Sequence, residues 1–433
     1  MPDLQTTHRP TEITLAHANH APTNPAPADL RAMRRILIAA SDTQIRRVVA
    51  LVDEMTQRGV ADALIEPLRQ RLAQLRPPRK LRFERLLFLP LDPVIVPPRV
   101  WRPADPTIPR NAVLPLSNTV RAALGPDIAA IDALIAGKLA DDLAVIEQAG
   151  ALLWPEAARI LAGAPLPPEW ADAGLNPSVH KPITSGVAAV LARRTALEAV
   201  IQDSRAGLLA VGEEAIEPII TGLAEETTES QALVIAVLLA RLPRAGPLLS
   251  VLDSVMRGSP PLRQASDRAA DALLDRLDTE NGIESRITHA TLGQACHEVQ
   301  RLGTMLSELE DRTGDPKRRT RLRGLRQRLD ASCRTRFAGS LKDEFLAPLQ
   351  AMSGAIDPPV QRLLETTARQ LRTLEVAARP IGSGAVYDTL LLQAAAAITA
   401  DGSKRGGQSV MRSARLVEIL AGPDAAMALL GAP

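Results

Sequence analysis

The chain has 433 residues, of which 46% are apolar and 2% aromatic, so a wholly disordered chain is excluded. Its 51 basic and 49 acidic residues leave a net charge of +2, which gives no overall attraction to nucleic acid or to a membrane surface. Ala, Leu and Arg favour helices, and the aromatic residues that large sheets use are scarce. The composition therefore predicts an all-α protein.

Cysteine content and apolar runs indicate the compartment. Two cysteines, Cys296 and Cys333, are too few for a disulfide framework and are typical of a reducing cytoplasm. The longest apolar runs, at 232–240 and 390–398, are about nine residues and too short to cross a bilayer. The beginning of the chain lacks the pattern of a signal peptide. We therefore expect a cytoplasmic protein without membrane insertion.

The first part of the chain predicts a disordered lead-in followed by helices. Residues 1–28 are rich in Pro, Thr, Ala and His, which predicts a disordered N-terminal segment. Residues 29–89 carry apolar side chains at helical spacing, including a helix over 61–75. Ser41 precedes Gln44 by three residues, the spacing of a capping box at a helix start.

Residues 90–116 differ from their surroundings and predict an extended segment, which we call the strap. Seven prolines lie between Pro90 and Pro109, and proline excludes both a helix interior and a central strand. Ile95, Val100 and Trp101 lie among them, and a solvated linker would not need such side chains. We expect an ordered strap packed on a helical surface with Trp101 as its anchor. The alternative is that the strap offers a polyproline face to a protein partner, with these three side chains as its binding residues.

Residues 117–280 predict helical hairpins. Helices are expected over 141–154 and 156–161, separated at Pro155, and a second proline-rich break extends from Pro165 to Pro182. The part from Gly212 to Leu277 contains the segments GEEAIEPIITGLAEE, SQALVIAVLLARLP, RAGPLLSVLDSVM and LRQASDRAADALLDRL. This part resembles HEAT-like repeats. The resemblance implies an α-solenoid whose concave face binds another macromolecule, and it implies no catalytic chemistry.

Residues 281–433 predict a C-terminal helical domain that begins with a long hairpin. The first arm is expected over 283–311 and the second over 317–337, with a break at Gly314-Asp315-Pro316. Apolar residues at three- and four-residue spacings form a seam along the second arm. Its members are Leu322, Leu325, Leu329, Cys333 and Phe337. Farther along, Leu390–Ile398 is apolar around nearly the whole helix, so it is either buried or part of a dimer contact.

The second arm is strongly basic. Ten basic and two acidic residues between Arg312 and Arg336 give it a local charge of +8, a pattern that would suit a helix lying along phosphates. The candidate polyanion-binding residues are Arg318, Arg319, Arg321, Arg323, Arg326 and Arg328. The alternative is that acids of the first arm neutralise several arginines and that the others are solvated. Those acids are Glu298, Glu308, Glu310 and Asp311.

Candidate chemical sites are few. Cys296 and Cys333 should lie level across the hairpin, where a metal site or a disulfide competes with simple packing in the seam. We expect packing, with no metal and no cofactor, because the ligand spacing of zinc sites is missing. The first functional hypothesis is a non-enzymatic scaffold that binds a protein partner. The second is nucleic-acid or polyanion binding through 317–336, and the third is an enzyme subunit with an unrecognised site.

Overall fold

The computed structural model describes residues 79–430 except 206–212, 280–281, 289, 352–357, 383 and 406, together with 40–54 and positions 33, 36, 37, 65, 68 and 72. The chain divides into two units, Met1–Pro77 and Pro78–Pro433. The described residues are overwhelmingly helical, so the all-α prediction is confirmed. None of the helices in this described part is both long and apolar enough to cross a membrane.

The first unit contains helix α1, Asp42–Glu54, and the predicted capping box is present at its start. The Ser41 backbone N–H donates to Gln44 Oε1 at 2.8 Å, and the Gln44 N–H donates to Ser41 Oγ at 3.4 Å. Buried aliphatic side chains form a small separate core: Ile45, Val49, Val52, Ile65, Leu68 and Leu72. The segment predicted to be disordered, 1–28, and most of the helix predicted over 61–75 lie outside the described residues.

The second unit starts with α2, Phe83–Phe88, followed by the strap and then by helices only. In chain order these are α3 Val113–Leu124, α4 Ile128–Ile135, α5 Leu143–Ala162, α6 Glu169–Asp172, α7 His180–Ala192, α8 Arg194–Arg205, α9 Glu213–Thr221, α10 Thr228–Arg241, α11 Gly246–Val255 and α12 Pro260–Asp278. The C-terminal part continues with α13 Ile283–Thr288, α14 Leu292–Arg312, α15 Pro316–Ser340, a π-helical turn Leu341–Leu346, α16 Ala347–Ala351, α17 Pro358–Ala378, α18 Gly384–Arg405, α19 Gly407–Ala421 and α20 Pro423–Leu430.

Helix α10 is at the centre of the second unit. Every residue from Ser230 to Leu239 is buried, because α10 is apolar on nearly all sides and packs against α7 on one side and α12 on another. The polar members of this run are partly satisfied by local hydrogen bonds, and Gln231 Oε1 is left without a partner among the described residues. The Gln231 side chain donates to the Leu223 carbonyl at 2.9 Å, and Thr227 caps the helix by accepting from the Ser230 N–H at 3.3 Å. The HEAT-like arrangement of these hairpins stays a prediction.

Several helix boundaries differ from those expected. The strap predicted to extend to 116 ends where α3 starts at Val113, and the break predicted from Pro165 to Pro182 contains α6 and the start of α7 at His180. Pro115 and Pro182 lie in the first turn of their helices, where no backbone N–H donor is needed. The break predicted at Pro155 is wrong: α5 continues through it, because buried residues on both sides hold one continuous face against α7. The single first arm predicted over 283–311 is also wrong, because a new helix starts at Leu292. Thr291 is its N-cap and forms a capping box with Gln294.

The second arm of the hairpin is confirmed as one helix, α15, which extends slightly beyond the predicted range. All five residues of its predicted apolar seam are buried. Phe337 packs edge-on against Tyr387 of α18, with ring centroids 5.2 Å apart. The basic helix is thereby fixed on its apolar side to both α14 and the C-terminal helices.

Candidate interaction surfaces

The strap is ordered and contains two short regular elements. Leu89–Val94 forms a 3₁₀ helix, and β1 (Ile95–Val96) pairs in parallel with β2 (Ile108–Pro109). The expectation that the prolines exclude helix is therefore wrong for the 3₁₀ helix, whereas the expectation that they exclude a central strand is not contradicted by a two-residue strand pair. A 3₁₀ turn accepts proline at its start, and a two-residue strand pair has few ladder positions for a proline to disrupt.

Arginines of α12 and one acid hold the strap in place. Arg268 donates to the Ala104 carbonyl from Nε at 3.0 Å and from Nη2 at 2.8 Å. Arg276 Nη1 donates to the Pro93 carbonyl. On the strap side, Arg102 pairs with Asp275 at 2.9 Å. The strap thus lies along α12 and binds it through polar contacts in addition to its apolar ones.

The three predicted partner-binding residues differ in exposure. Trp101 is half-buried, packs against the core, and donates from Nε1 to the Thr107 carbonyl at 3.1 Å. Ile95 is also half-buried and pairs with Ile108. Val100 is 46% exposed. Trp101 therefore anchors the strap internally, and Val100 has the most surface left for a partner.

Other large apolar side chains are exposed mainly at the two ends of the second unit. Leu143 is 72% exposed, and Leu392 and Met427 are each 67% exposed. Between 167 and 362, no large apolar side chain among the described residues is exposed. Leu390–Ile398 is divided: Leu391 is buried and Leu392 faces solvent.

The basic helix α15 meets a row of acids on α12. Arg318 Nη1 pairs with Asp267 at 2.8 Å and its Nε pairs with Asp271 at 2.9 Å. Arg321 Nη2 pairs with Asp275 at 2.6 Å, and its Nε pairs with Asp278. The hydrogen bonds that Arg318 donates to Asp271 raise the pKa of Arg318 above its ordinary value. This acidic row, at spacings of four, four and three residues, was missed in the sequence although its helical period was visible there.

The other candidate arginines also have partners. Arg328 donates from Nε to Glu284 at 2.6 Å and from Nη1 to Asp278 at 3.0 Å. Arg323 and Arg326 share Glu310, at 2.8 and 3.3 Å, and hydrogen bonding from Arg323 lowers the pKa of that carboxyl. Arg319 Nη2 donates to the Thr313 carbonyl at 2.7 Å. Arg323 keeps 63% of its side chain exposed.

The acids expected to neutralise α15 have three different roles. Glu310 alone among the four pairs with the candidate arginines in the described contacts. Glu298 pairs with Arg301 of its own helix at 2.9 Å. Glu308 accepts from the N–H groups of Ala245 and Gly246, at 2.7 and 2.8 Å, and so caps α11. The expectation that these acids neutralise several arginines therefore holds for Glu310 alone, which pairs with Arg323 and Arg326, whereas α12 supplies the partners of Arg318 and Arg321.

Both cysteines are buried and free. The Cys296 thiol donates to the Gln370 carbonyl at 3.3 Å, and burial raises its pKa to about 11. Burial, with Asp330 and Cys296 nearby, raises the pKa of Cys333 to about 12. Both thiols stay protonated near neutral pH, which disfavours nucleophilic or ligand chemistry. Within the described part of the chain, no three His, Cys, Asp or Glu residues group as a metal site.

Comparisons with protein-family models, curated proteins and solved structures found no match. Function therefore has to be argued from the surfaces themselves. The basic helix has most of its charge paired within the fold, whereas the strap has an apolar side chain at its exposed turn.

Proposed function

We propose that the protein is a non-enzymatic, cytoplasmic interaction protein that binds a protein partner through the strap tip, residues 97–104. The observation that carries this proposal is the exposure of Val100, at 46%, on a turn that the rest of the fold holds in place. A loop that is already ordered loses less conformational entropy on binding than a free one. Binding loops on rigid scaffolds are a common location of function.

Contacts on both sides brace the tip. The Val100 N–H donates to the Pro97 carbonyl at 3.1 Å, and the Trp101 indole donates to the Thr107 carbonyl at 3.1 Å. Arg268 holds the Ala104 carbonyl from α12. These bonds orient the tip without covering Val100. The tip therefore combines an exposed apolar anchor with a polar rim, as protein interfaces do.

The experiment is purification of the tagged chain, expressed at its native level, with identification of any stoichiometric partner. We expect Val100→Glu to remove the partner, because a charge replaces the apolar anchor. Trp101→Ala is a poorer test, since Trp101 also supports the strap. The control is Leu392→Glu, an equally drastic change at an exposed apolar side chain elsewhere. Retention of the partner by Val100→Glu together with its loss on Leu392→Glu would move the binding surface to α18 and refute the strap proposal.

Polyanion binding along α15 is the weaker proposal. The arginines of α15 already contact acids of α12 and α14, so a polyanion would have to displace those acids or use the residual charge of exposed side chains such as Arg323. A mobility shift at low salt that is lost on Arg319→Glu with Arg323→Glu would support it. The absence of any mobility shift at low salt would refute polyanion binding along α15.

A further inference from the structure

A cavity of about 440 Å³ lies where the strap, α10, α12, α13 and α14 meet. Its described lining includes apolar leucine, methionine, alanine and proline residues. It also includes four arginines and one glutamate, which give a net charge of +3 among the described lining residues. These are Arg241, Arg276, Arg286, Glu298 and Arg301. The volume lies within the usual range of small-molecule pockets.

The four arginines are unequally satisfied. Arg241 pairs with Glu198, and Arg301 pairs with Glu298, each at 2.9 Å. Arg276 bonds the Pro93 carbonyl through Nη1, but its buried Nε has no partner in the described structure. The Arg286 side chain makes no hydrogen bond or ion pair with any described residue, although water can reach it inside the cavity. Two guanidinium groups therefore retain unused donors in the same space.

The electrostatics of the cavity favour an anion. Burial, together with the like charges of Arg286 and Arg301, lowers the pKa of Arg276 to about 10. Partial desolvation also lowers the pKa of Arg286, although the residue stays exposed to solvent; Glu298 opposes the effect and Arg301 adds to it. These groups are close enough to repel one another and share a single lining carboxylate. An arriving anion would relieve that repulsion and receive charge-assisted hydrogen bonds.

We propose that this cavity binds a small organic phosphate monoester, with its phosphate between Arg276 and Arg286 and its organic part against the apolar lining residues. Guanidinium groups match phosphate oxygens through paired N–H donors. Arg276 and Arg286 line the same cavity and both retain unused donors, so a single dianionic group can serve both. A dicarboxylate carries its two charges on separate groups, so only one of them would lie between Arg276 and Arg286. This binding is additional to the partner binding at the strap tip and does not depend on it.

The test is calorimetric titration of the full chain in phosphate-free buffer with phenyl phosphate, inorganic phosphate, succinate and benzyl alcohol as probes. We expect phenyl phosphate to bind most tightly, inorganic phosphate more weakly for lack of apolar contact, and the neutral alcohol not at all. Arg286→Gln should weaken phenyl phosphate at least tenfold, since charged hydrogen bonds are worth about one or two factors of ten. Because Arg286 has no side-chain bond to a described residue, this variant should remain folded, and a thermal melt checks that.

The matched control is Arg323→Gln, which removes one exposed arginine of α15 and should leave the affinity unchanged. An equal loss in both variants would place the binding on the basic helix and overturn the proposal. Tighter binding of succinate than of phenyl phosphate would overturn the assignment of a phosphate monoester. No binding of phenyl phosphate at millimolar concentration would overturn the site itself.

Discussion

The arginines of α15 and the arginines around the cavity are two clusters of the same residue with opposite surroundings. On α15, Arg318 and Arg321 each contact two aspartates of α12, and their pKa values are raised. For Arg321 these bonds outweigh the lowering effect of burial. Around the cavity, desolvation is the main cause that lowers the pKa values of Arg276 and Arg286; neighbouring arginines add to it, and Glu298 opposes it at Arg286.

This difference separates structural charge from functional charge. The high density of arginines in the sequence indicated α15 as the candidate binding element. In the folded protein, however, carboxylates of α12 and α14 neutralise much of that charge. The cavity has no dense charge in the sequence, but its positive charge is left incompletely balanced in space. Unbalanced charge that the fold tolerates is a better sign of a binding site than charge that it neutralises.

The largest expected effect is on stability, from removal of an arginine of the first cluster. Arg318→Ala should lower the free energy of unfolding by about 1–2 kcal/mol, because it removes the ion pairs of a largely buried guanidinium, while the half-exposed Asp267 and Asp271 are rehydrated. The matched change Arg323→Ala should cost less than about 1 kcal/mol, since that side chain is 63% exposed and Glu310 keeps Arg326. Urea unfolding measures both, and equal losses would contradict the structural role given to the α12–α15 contacts.

Acid should lower the stability that the ion pairs of α15 contribute, by a smaller amount than Arg318→Ala does. Hydrogen bonds from Arg328 and Arg323 lower the pKa values of Glu284 and Glu310 below their ordinary 4.5 in the folded protein. The folded state therefore binds fewer protons than the unfolded state, so this stability is present above about pH 4.5 and is lost as the pH falls through the lowered pKa values. Urea midpoints measured between neutral pH and pH 3 should fall less steeply for Glu310→Gln than for the exposed control Glu214→Gln. An unchanged slope would contradict this assignment.

The smallest expected effect is a gain in thermal stability, from removal of an arginine that lines the cavity. Without ligand, Arg286→Gln should raise Tm by about 1–3 °C, because it removes repulsion and breaks no described bond. Arg241→Gln, at another residue that lines the cavity, should lower Tm, because Arg241 pairs with Glu198. Differential scanning calorimetry gives both values. A fall in Tm for Arg286→Gln would show that this arginine stabilises the fold, in contrast to the role proposed for it.

Helices were predictable wherever one periodic face is buried, and the seam of α15 is the clearest case. Pro155 shows why boundaries were less predictable: packing on both sides of a proline can outweigh its local preference, and that packing is tertiary. The start of α14 was predictable in principle, since Thr291 and Gln294 have the capping-box spacing. The misplaced boundary came from extending an apolar period across that signal.

The surfaces were predictable to different degrees. The apolar residues among the prolines predicted an ordered strap. They did not predict its contacts with Arg268 and Arg276, because those residues belong to a helix far along the chain. The cavity could not be predicted from spacing at all. Its arginines come from four helices, and their common property, the lack of enough carboxylates nearby, exists only after folding.

The strap cannot make its contacts with α12 until late in synthesis on the ribosome. The contacts Arg268–Ala104, Arg102–Asp275 and Arg276–Pro93 join residues that are 164, 173 and 183 positions apart. At a translation rate of roughly 5–20 residues per second, the strap waits roughly 10–35 seconds before α12 is synthesised. An apolar extended segment exposed for that time would be prone to pair with other nascent chains, and its seven prolines interrupt any such ladder of backbone hydrogen bonds. The prolines thus protect the unfinished chain as well as shaping the finished one.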